Sequence, residues 1–200
     1  MPQTGAMTDD AVDPGADDVA AAAPAVPDPH VLGPGLLPTP FTADEIRAAT
    51  GAGKTIRLLV EQPDGERFLR VNRFVAVDAE GATLEQWRVD AAGGVDGEVL
   101  SGQVTWHELQ EHAAFPAELT TRSTATLEIA LGDAAATSLD CLRYEVRDVD
   151  DGDQVTRFWF ALAYPGMPVR YEIPTPAGVL RTTVTAIEVD PPPVDQSPVE

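Results

Sequence analysis

Cysteine is nearly absent from this chain of 200 residues, which contains only Cys141. One thiol cannot form an intramolecular disulfide. Cys141 also lies too far along the chain to be a cysteine that carries a lipid near the start. A thiol becomes a nucleophile only beside a basic partner, and the sequence shows none. The pattern therefore favours Cys141 as a small packing residue in a strand.

Basic side chains are also scarce, since 13 Lys and Arg stand against 33 Asp and Glu, for a net charge of −20. Nucleic acids and anionic membrane surfaces are bound by clustered cations. The acidic balance therefore predicts no nucleic-acid binding and no peripheral membrane binding, and it is typical of a soluble protein.

Long apolar runs are missing as well. No stretch approaches the roughly 18 to 20 apolar residues of a transmembrane helix. The first forty residues are acidic and interrupted by proline, unlike the basic and apolar segments of an export signal. We therefore expect a cytoplasmic protein without membrane insertion.

The two ends differ in composition from the middle. Residues 1–40 hold six Asp, no Lys or Arg, and many Ala, Pro and Gly, which predicts a disordered acidic tail because such a segment buries too little apolar area. Residues 190–200 form a second acidic tail, held extended by its prolines. A single folded domain is expected over residues 41–189.

The stretch GAGKT, from Gly51 to Thr55, ends like a phosphate-binding P-loop. In a P-loop a strand precedes the glycines and a helix follows them, whereas here a helix capped by Thr42 comes first and a strand follows. Ala48 also stands where the motif requires glycine. We predict a glycine helix stop here, and no nucleotide or other cofactor.

From Lys54 onward the apolar residues alternate, and turn signals recur at strand-like intervals. A second short helix is indicated at TWHELQEHAAF, where Thr105 is the cap and Glu108 completes a capping box. The count is eight or nine strands and two short helices, an α+β domain of mainly antiparallel β structure. RFWFALAY is apolar on both faces, which predicts a central strand covered on each side.

The last third of the chain, residues 137–189, resembles the closing strands of bacterial half-barrel proteins of the lipoprotein-carrier superfamily and related domains. The residues that carry the resemblance are Cys141, Tyr144, Trp159, Pro165, Gly166, Pro168, Val169 and Gly178. The resemblance implies a curved half-barrel sheet around the short helices, with an apolar concavity that accepts acyl chains in the better-known members. This chain shows neither a signal peptide nor a lipidation cysteine, so the resemblance implies the shape rather than the transport of lipoproteins.

Two patterns invite a metal interpretation, and neither fits one. RDVDDGDQ places several carboxylates in one loop, but Trp159 stands where an EF-hand requires Glu, and a hairpin turn explains the loop better. His107 and His112 are five residues apart, about 140° around a helix, so they do not converge on one ion. No G-x-S-x-G elbow occurs. We predict no metal site and no catalytic activity.

The richest aromatic patch follows Arg157, and its ordinary interpretation is core. The functional alternative is the lining of an apolar pocket. The candidate ligand-binding residues are Trp87, Trp106, Phe158, Trp159, Phe160, Tyr164 and Met167. The sequence thus predicts a non-catalytic module that holds an apolar ligand, such as an acyl chain, or a protein segment. The competing hypothesis is a structural or regulatory interaction domain whose concavity is filled by its own side chains.

Overall fold

The computed structural model describes residues 27–132, 134–150 and 153–189. Two helices, α1 (Ala43–Ala48) and α2 (Trp106–Glu111), accompany nine strands. The strands are β1 (Thr55–Glu61), β2 (Arg67–Val77), β3 (Gly81–Val89), β4 (Val95–Thr105), β5 (Thr120–Ile129), β6 (Thr137–Arg147), β7 (Val155–Ala161), β8 (Arg170–Thr175) and β9 (Gly178–Glu188). Within these ranges no helix has both the length and the apolar content needed to span a membrane.

All nine strands belong to one antiparallel sheet in the order β4-β3-β2-β1-β9-β8-β7-β6-β5. Two meanders of consecutive hairpins meet where β1 pairs with β9. The outermost strands, β4 and β5, do not pair with each other, so the sheet stays open. Both helices pack on one face, called here the inner face. The prediction of an α+β half-barrel with eight or nine strands and two short helices is confirmed.

Each helix begins at a capping box. The Thr42 hydroxyl accepts the Glu45 N–H at 3.2 Å, and the Glu45 carboxylate accepts the Thr42 N–H at 2.8 Å. Thr105 and Glu108 repeat the arrangement at α2. Helices of six residues are not stable alone, and these two depend on burying Ile46 and Trp106.

The GAGKT stretch leads directly into the sheet. The Gly53 N–H donates to the Phe74 carbonyl at 2.7 Å, and the Phe74 N–H donates to the Lys54 carbonyl at 2.9 Å. Gly53 has a φ of 85°, which a residue with a side chain rarely adopts. The glycines therefore form the turn from α1 into β1.

A disordered tail was predicted over residues 1–40, but residues 27–40 contact the core of the domain. Residues 1–26 and 190–200 lie outside the described residues. Gln110, only 3% exposed, donates to the Pro29 carbonyl at 2.9 Å and to the Thr39 hydroxyl at 3.0 Å. The Tyr144 hydroxyl donates to the Pro38 carbonyl at 2.7 Å. Core side chains thus satisfy the backbone of this segment, a stabilisation that composition does not reveal.

The far end of the β5–β6 hairpin reaches over to β9, although three strands separate β5 from β9 in the sheet. The Gly132 N–H donates to the Thr185 carbonyl at 2.6 Å. The two faces of β6 are therefore buried at different places. Leu139 and Cys141 are buried on one face near the start of the strand, and Tyr144 is buried on the other face three residues later. This contact shows how strongly the sheet is bent.

The acidic loop between β6 and β7 is a hairpin connection. The Asp150 N–H donates to the Asp148 carboxylate at 2.7 Å, and the Asp148 N–H donates to the Gln154 carbonyl at 3.0 Å. Asp151 lies outside the described residues. Among the described residues, no three His, Cys, Asp or Glu side chains are grouped closely enough to hold a metal ion.

We predict that Tyr144→Phe lowers the free energy of unfolding by about 1 to 3 kcal/mol, because the Pro38 carbonyl loses the hydrogen bond from the fully buried Tyr144 side chain. Denaturant unfolding measures this change. Tyr164→Phe is the matched control, since no hydrogen bond of that half-buried hydroxyl occurs within the described part of the chain. Equal stability of the two variants would contradict the role assigned to Tyr144.

Candidate functional site

An aromatic cluster occupies the inner face between the sheet and the helices. Phe160, 2% exposed, meets Phe41 edge-on at 6.4 Å and Tyr144 edge-on at 5.6 Å between ring centroids. Phe158 stacks on Phe115 at 5.0 Å. These rings come from β6, β7 and the segments flanking the helices, and they fix the helix pair against the sheet.

A cavity of about 130 Å³ remains beside this cluster. Its roof comes from α1, α2 and the turn after α2, its floor from β7, and one wall from the β7–β8 connection (162–169). The lining residues are Ile46, Leu109, His112, Ala113, Phe158, Phe160, Gly166, Met167 and Pro168. Apart from the His112 ring and backbone groups, the lining is apolar. Three larger hollows, of about 220, 330 and 530 Å³, are more open to solvent and lie elsewhere.

The structure brings some of the seven candidate residues together and separates the others. Phe158, Phe160 and Met167 line the cavity. Tyr164 does not line this cavity but lines a neighbouring space of about 20 Å³, together with Lys54 and Met167. Whether any of these residues binds a ligand stays a prediction.

The three tryptophans do not line the cavity. Trp106 is buried at the start of α2, and its indole N–H donates to the Asp78 carbonyl at 3.1 Å. Trp159 alternates with Phe158 and Phe160, so it lies on the outer face, where the Arg143 guanidinium is 5.6 Å from its ring centroid. Trp87 lies opposite Val71 on the outer face of β3.

Lys54, the single lysine of the chain, is a buried residue that the sequence did not indicate as part of a site. Its ammonium donates to the Ala49 carbonyl at 2.8 Å and contacts the Thr50 hydroxyl at 3.5 Å. Burial lowers the pKa of Lys54 below its ordinary value of 10.5. The ammonium lies just beyond the last turn of α1, where the helix dipole favours a positive charge.

Four polar side chains of the inner face were also missed: Arg70, Asn72, Tyr171 and Thr182. Arg70 donates to the Tyr171 hydroxyl at 3.4 Å, across β1 and β9. Asn72 donates to the Met167 sulfur at 3.7 Å. Alternation along β2 is enough to place Arg70 and Asn72 on the same face as Phe74. Their contacts with Tyr171 and Met167 could not be predicted in this way, because those contacts depend on the bend of the sheet.

The remaining candidates for chemistry lie in unreactive settings. Cys141 is 2% exposed, its thiol donates to the Leu139 carbonyl at 3.5 Å, and burial raises the pKa of Cys141. A raised pKa keeps the thiol protonated, the opposite of what a nucleophile requires. His107 lies on the surface of α2, 3.3 Å from Glu111, while His112 lies at the rim of the cavity.

Comparison with known proteins places few limits on this chain. No family model matches it, and no curated protein does either. Among solved structures, it is similar to a domain from Vibrio parahaemolyticus described as an outer membrane lipoprotein-sorting protein, with 10% identity over 79% of this chain and 92% of the other and a TM-score of 0.27. A TM-score this low carries no inference about function.

We predict that Lys54→Met removes a pH dependence of stability. Because the folded state lowers the pKa of Lys54, the unfolded chain binds more protons just below pH 10.5, and the stability of the wild type rises with pH through that window. Measuring unfolding free energies of both proteins between about pH 8 and 10 isolates this contribution from that of the tyrosines. Parallel curves for the two proteins would contradict the assignment.

Proposed function

We propose that this domain is a non-catalytic binding module that takes a small apolar group into the cavity between the helix pair and β7. The group is either the end of an acyl chain or an apolar side chain of a partner protein. The observation that carries the proposal is an unfilled, largely apolar space of about 130 Å³ in an otherwise packed concavity.

The size of the cavity limits the ligand. An apolar cavity of about 150 Å³ in another protein stays dry and binds benzene, whereas sites for drug-sized ligands begin near 300 Å³. The present space therefore suits one ring or a few methylene groups. A whole acyl chain requires the walls to move.

The β7–β8 connection supplies the route of entry. Gly166 lines the cavity and is only half-buried, and a Cβ added to it would meet no atom within 4 Å. Exposed His112 lies across from it on the turn after α2. An apolar group can thus enter between α2 and the connection with little displacement of backbone.

The absence of an activated nucleophile in the described part of the chain supports a binding role over a catalytic one. The Cys141 thiol is buried and held protonated. Lys54 has the lowered pKa that a reactive amine needs, but its ammonium is bonded to the end of α1 and the space beside it measures only about 20 Å³. That space has room for one water molecule but not for a substrate.

A second candidate is the interaction domain with a self-filled concavity. It is favoured by how much of the inner face the chain itself covers: Phe41, Ile46, Trp106 and Phe115 are each at most 9% exposed. In this case the cavity is a packing defect, and partners bind elsewhere on the surface. The two candidates differ in whether the cavity binds anything.

We predict that Ala113→Leu abolishes binding of small alkanols. Ala113 is buried and lines the cavity, so a larger side chain there occupies the space that the ligand needs. In the wild type, affinity should rise about threefold to fourfold per methylene from butanol, because each buried CH₂ contributes about 0.8 kcal/mol, and it should level off once the cavity is full. Calorimetric titration measures both effects.

Ala48→Leu is the matched control, because Ala48 is exposed on α1 and does not line the cavity. This variant should bind alkanols like the wild type. Equal binding by the Ala113 and Ala48 variants, or no binding by the wild type, would refute the cavity as a ligand site and support the self-filled interaction domain.

A further inference from the structure

We propose that Arg70, with Asn72, Tyr171 and Thr182 around it, forms a binding position for the carboxylate of an apolar ligand. This inference deepens the proposed function and rests on it, since the apolar part of the same ligand would occupy the cavity. The ligand class is then a short-chain or medium-chain carboxylic acid, or an apolar group that bears a carboxylate.

Arg70 lies on the inner face, and none of the described residues gives it a carboxylate partner. It pairs in register with Leu58, which is fully buried on that face. One terminal nitrogen donates to the neutral Tyr171 hydroxyl at 3.4 Å, and its Nε is buried without a partner. Within the described ranges no Asp or Glu oxygen lies within 4.0 Å of this guanidinium.

A second arginine stands directly opposite. Arg70 pairs with Arg88 across β2 and β3 on the same face, and like charges at such positions repel. Arg88 is compensated, because it lies 3.1 Å from Glu66 and 3.8 Å from Asp96 and its guanidinium stacks 3.9 Å from the Phe68 ring centroid. No carboxylate of the described residues compensates Arg70, and a guanidinium in this state beside another indicates a place for an external anion.

Two further polar side chains of the inner face have hydrogen-bonding atoms without a partner among the described residues. Thr182 is 1% exposed, pairs with Tyr171 in the sheet, and its hydroxyl has no partner within the described chain. Asn72 is 7% exposed, and its Oδ1 is likewise without a partner there. Buried polar groups are normally hydrogen-bonded. The Thr182 hydroxyl can donate to a carboxylate, whereas the Asn72 Oδ1 only accepts. Asn72 can offer a carboxylate only the second hydrogen of its Nδ2, which already donates to Met167.

The polar group adjoins the apolar cavity through two shared side chains. Phe158 lines the cavity and lies 6.2 Å from the Tyr171 ring centroid. Met167 also lines the cavity, and its sulfur accepts the Asn72 amide. A ligand with an apolar end past Phe158 and Met167 would therefore present its other end to Arg70.

A carboxylate fits this position better than a phosphate. One guanidinium supplies one positive charge in a fork that matches a carboxylate. Glu66 and Asp96 stand next to Arg88, so a doubly charged phosphate would be repelled more strongly than a monoanion. The position therefore selects a singly charged, planar anion.

The test compares hexanoate with hexanol by calorimetric titration of the full chain. Arg70→Met should weaken hexanoate binding about tenfold or more, because charge-assisted hydrogen bonds are lost, and should leave hexanol binding within about twofold. Arg57→Met is the control and should change neither, because Arg57 pairs with Glu188 on the outer face. Arg70→Lys, which keeps the charge and loses Nε, should give an intermediate loss and serves if Arg70→Met does not fold.

A second measurement observes the Arg70 Nε–H signal by NMR while sodium acetate is added, with sodium chloride at equal ionic strength as the reference. A saturable shift with acetate, absent with chloride, is expected. Equal hexanoate affinity in wild type and Arg70→Met, with no acetate shift, would overturn the carboxylate position and leave the cavity intact.

The other outcomes separate the two proposals. If the wild type binds neither hexanol nor hexanoate, the proposed function fails and the apolar carboxylate ligand fails with it, whatever acetate does. If inorganic phosphate shifts the Arg70 signal at lower concentration than acetate, the carboxylate assignment is overturned.

Discussion

The inner face of the sheet carries more apolar surface than two helices of six residues can cover. Irregular chain must therefore cover the rest, and its backbone N–H and C=O groups need partners there. The 27–41 segment and the β7–β8 connection cover this remaining surface. Gln110 and Tyr144 satisfy the first segment from within the core, and Val169 anchors the second by backbone hydrogen bonds to Trp159 and Val184, both 2.8 Å long. The cavity lies where these irregular parts meet the helices.

The outer face is organised by charge instead. Three carboxylates alternate with arginines across six adjacent strands: Glu61 with Arg67 and Arg181, Glu172 with Arg181, and Glu145 with Arg143 and Arg157. Burial raises the pKa of Glu145, but the hydrogen bond from Arg157 and the charge of Arg143 outweigh it, so that pKa lies below its ordinary value. Each surface pair contributes little alone, yet together they mark which face points to water. A slip of one residue in any of these strands would bury charge, so the network fixes the register.

Local patterns in the sequence were enough for the helices and most strands. The capping boxes at Thr42 and Thr105 involve residues three apart, and the strands follow from alternation, so both can be read without knowing the fold. The ordered 27–40 segment could not be predicted because it depends on Gln110 and Tyr144, which lie more than 70 residues away along the chain. Composition describes a segment by itself, whereas this one is stabilised by the rest of the domain.

The candidate site was predictable only where it depends on local sequence patterns. Phe158 and Phe160 share a face by alternation, so their joint position in the cavity follows from β7. Trp87 was expected in the pocket because it is aromatic, but a hydrophobic residue also suits a half-buried outer face, where it lies opposite Val71. Arg70 had no local signal, because its contact with Tyr171 and its lack of a carboxylate partner among the described residues depend on how the strands pair.

If the concavity binds a ligand as proposed, the β7–β8 connection decides how large that ligand can be. Like the turn after α2, it lines the cavity and is neither helix nor strand. Between its anchored ends, Met167 contacts Asn72 through a weak sulfur hydrogen bond of 3.7 Å. Displacing Met167 would expose a side chain whose burial contributes about 1.5 to 3 kcal/mol, whereas each methylene of a ligand buried in its place contributes about 0.8 kcal/mol. About two to four extra methylenes therefore offset the displacement. In the proposed binding role, a chain longer than the cavity of about 130 Å³ would therefore bind by displacing Met167.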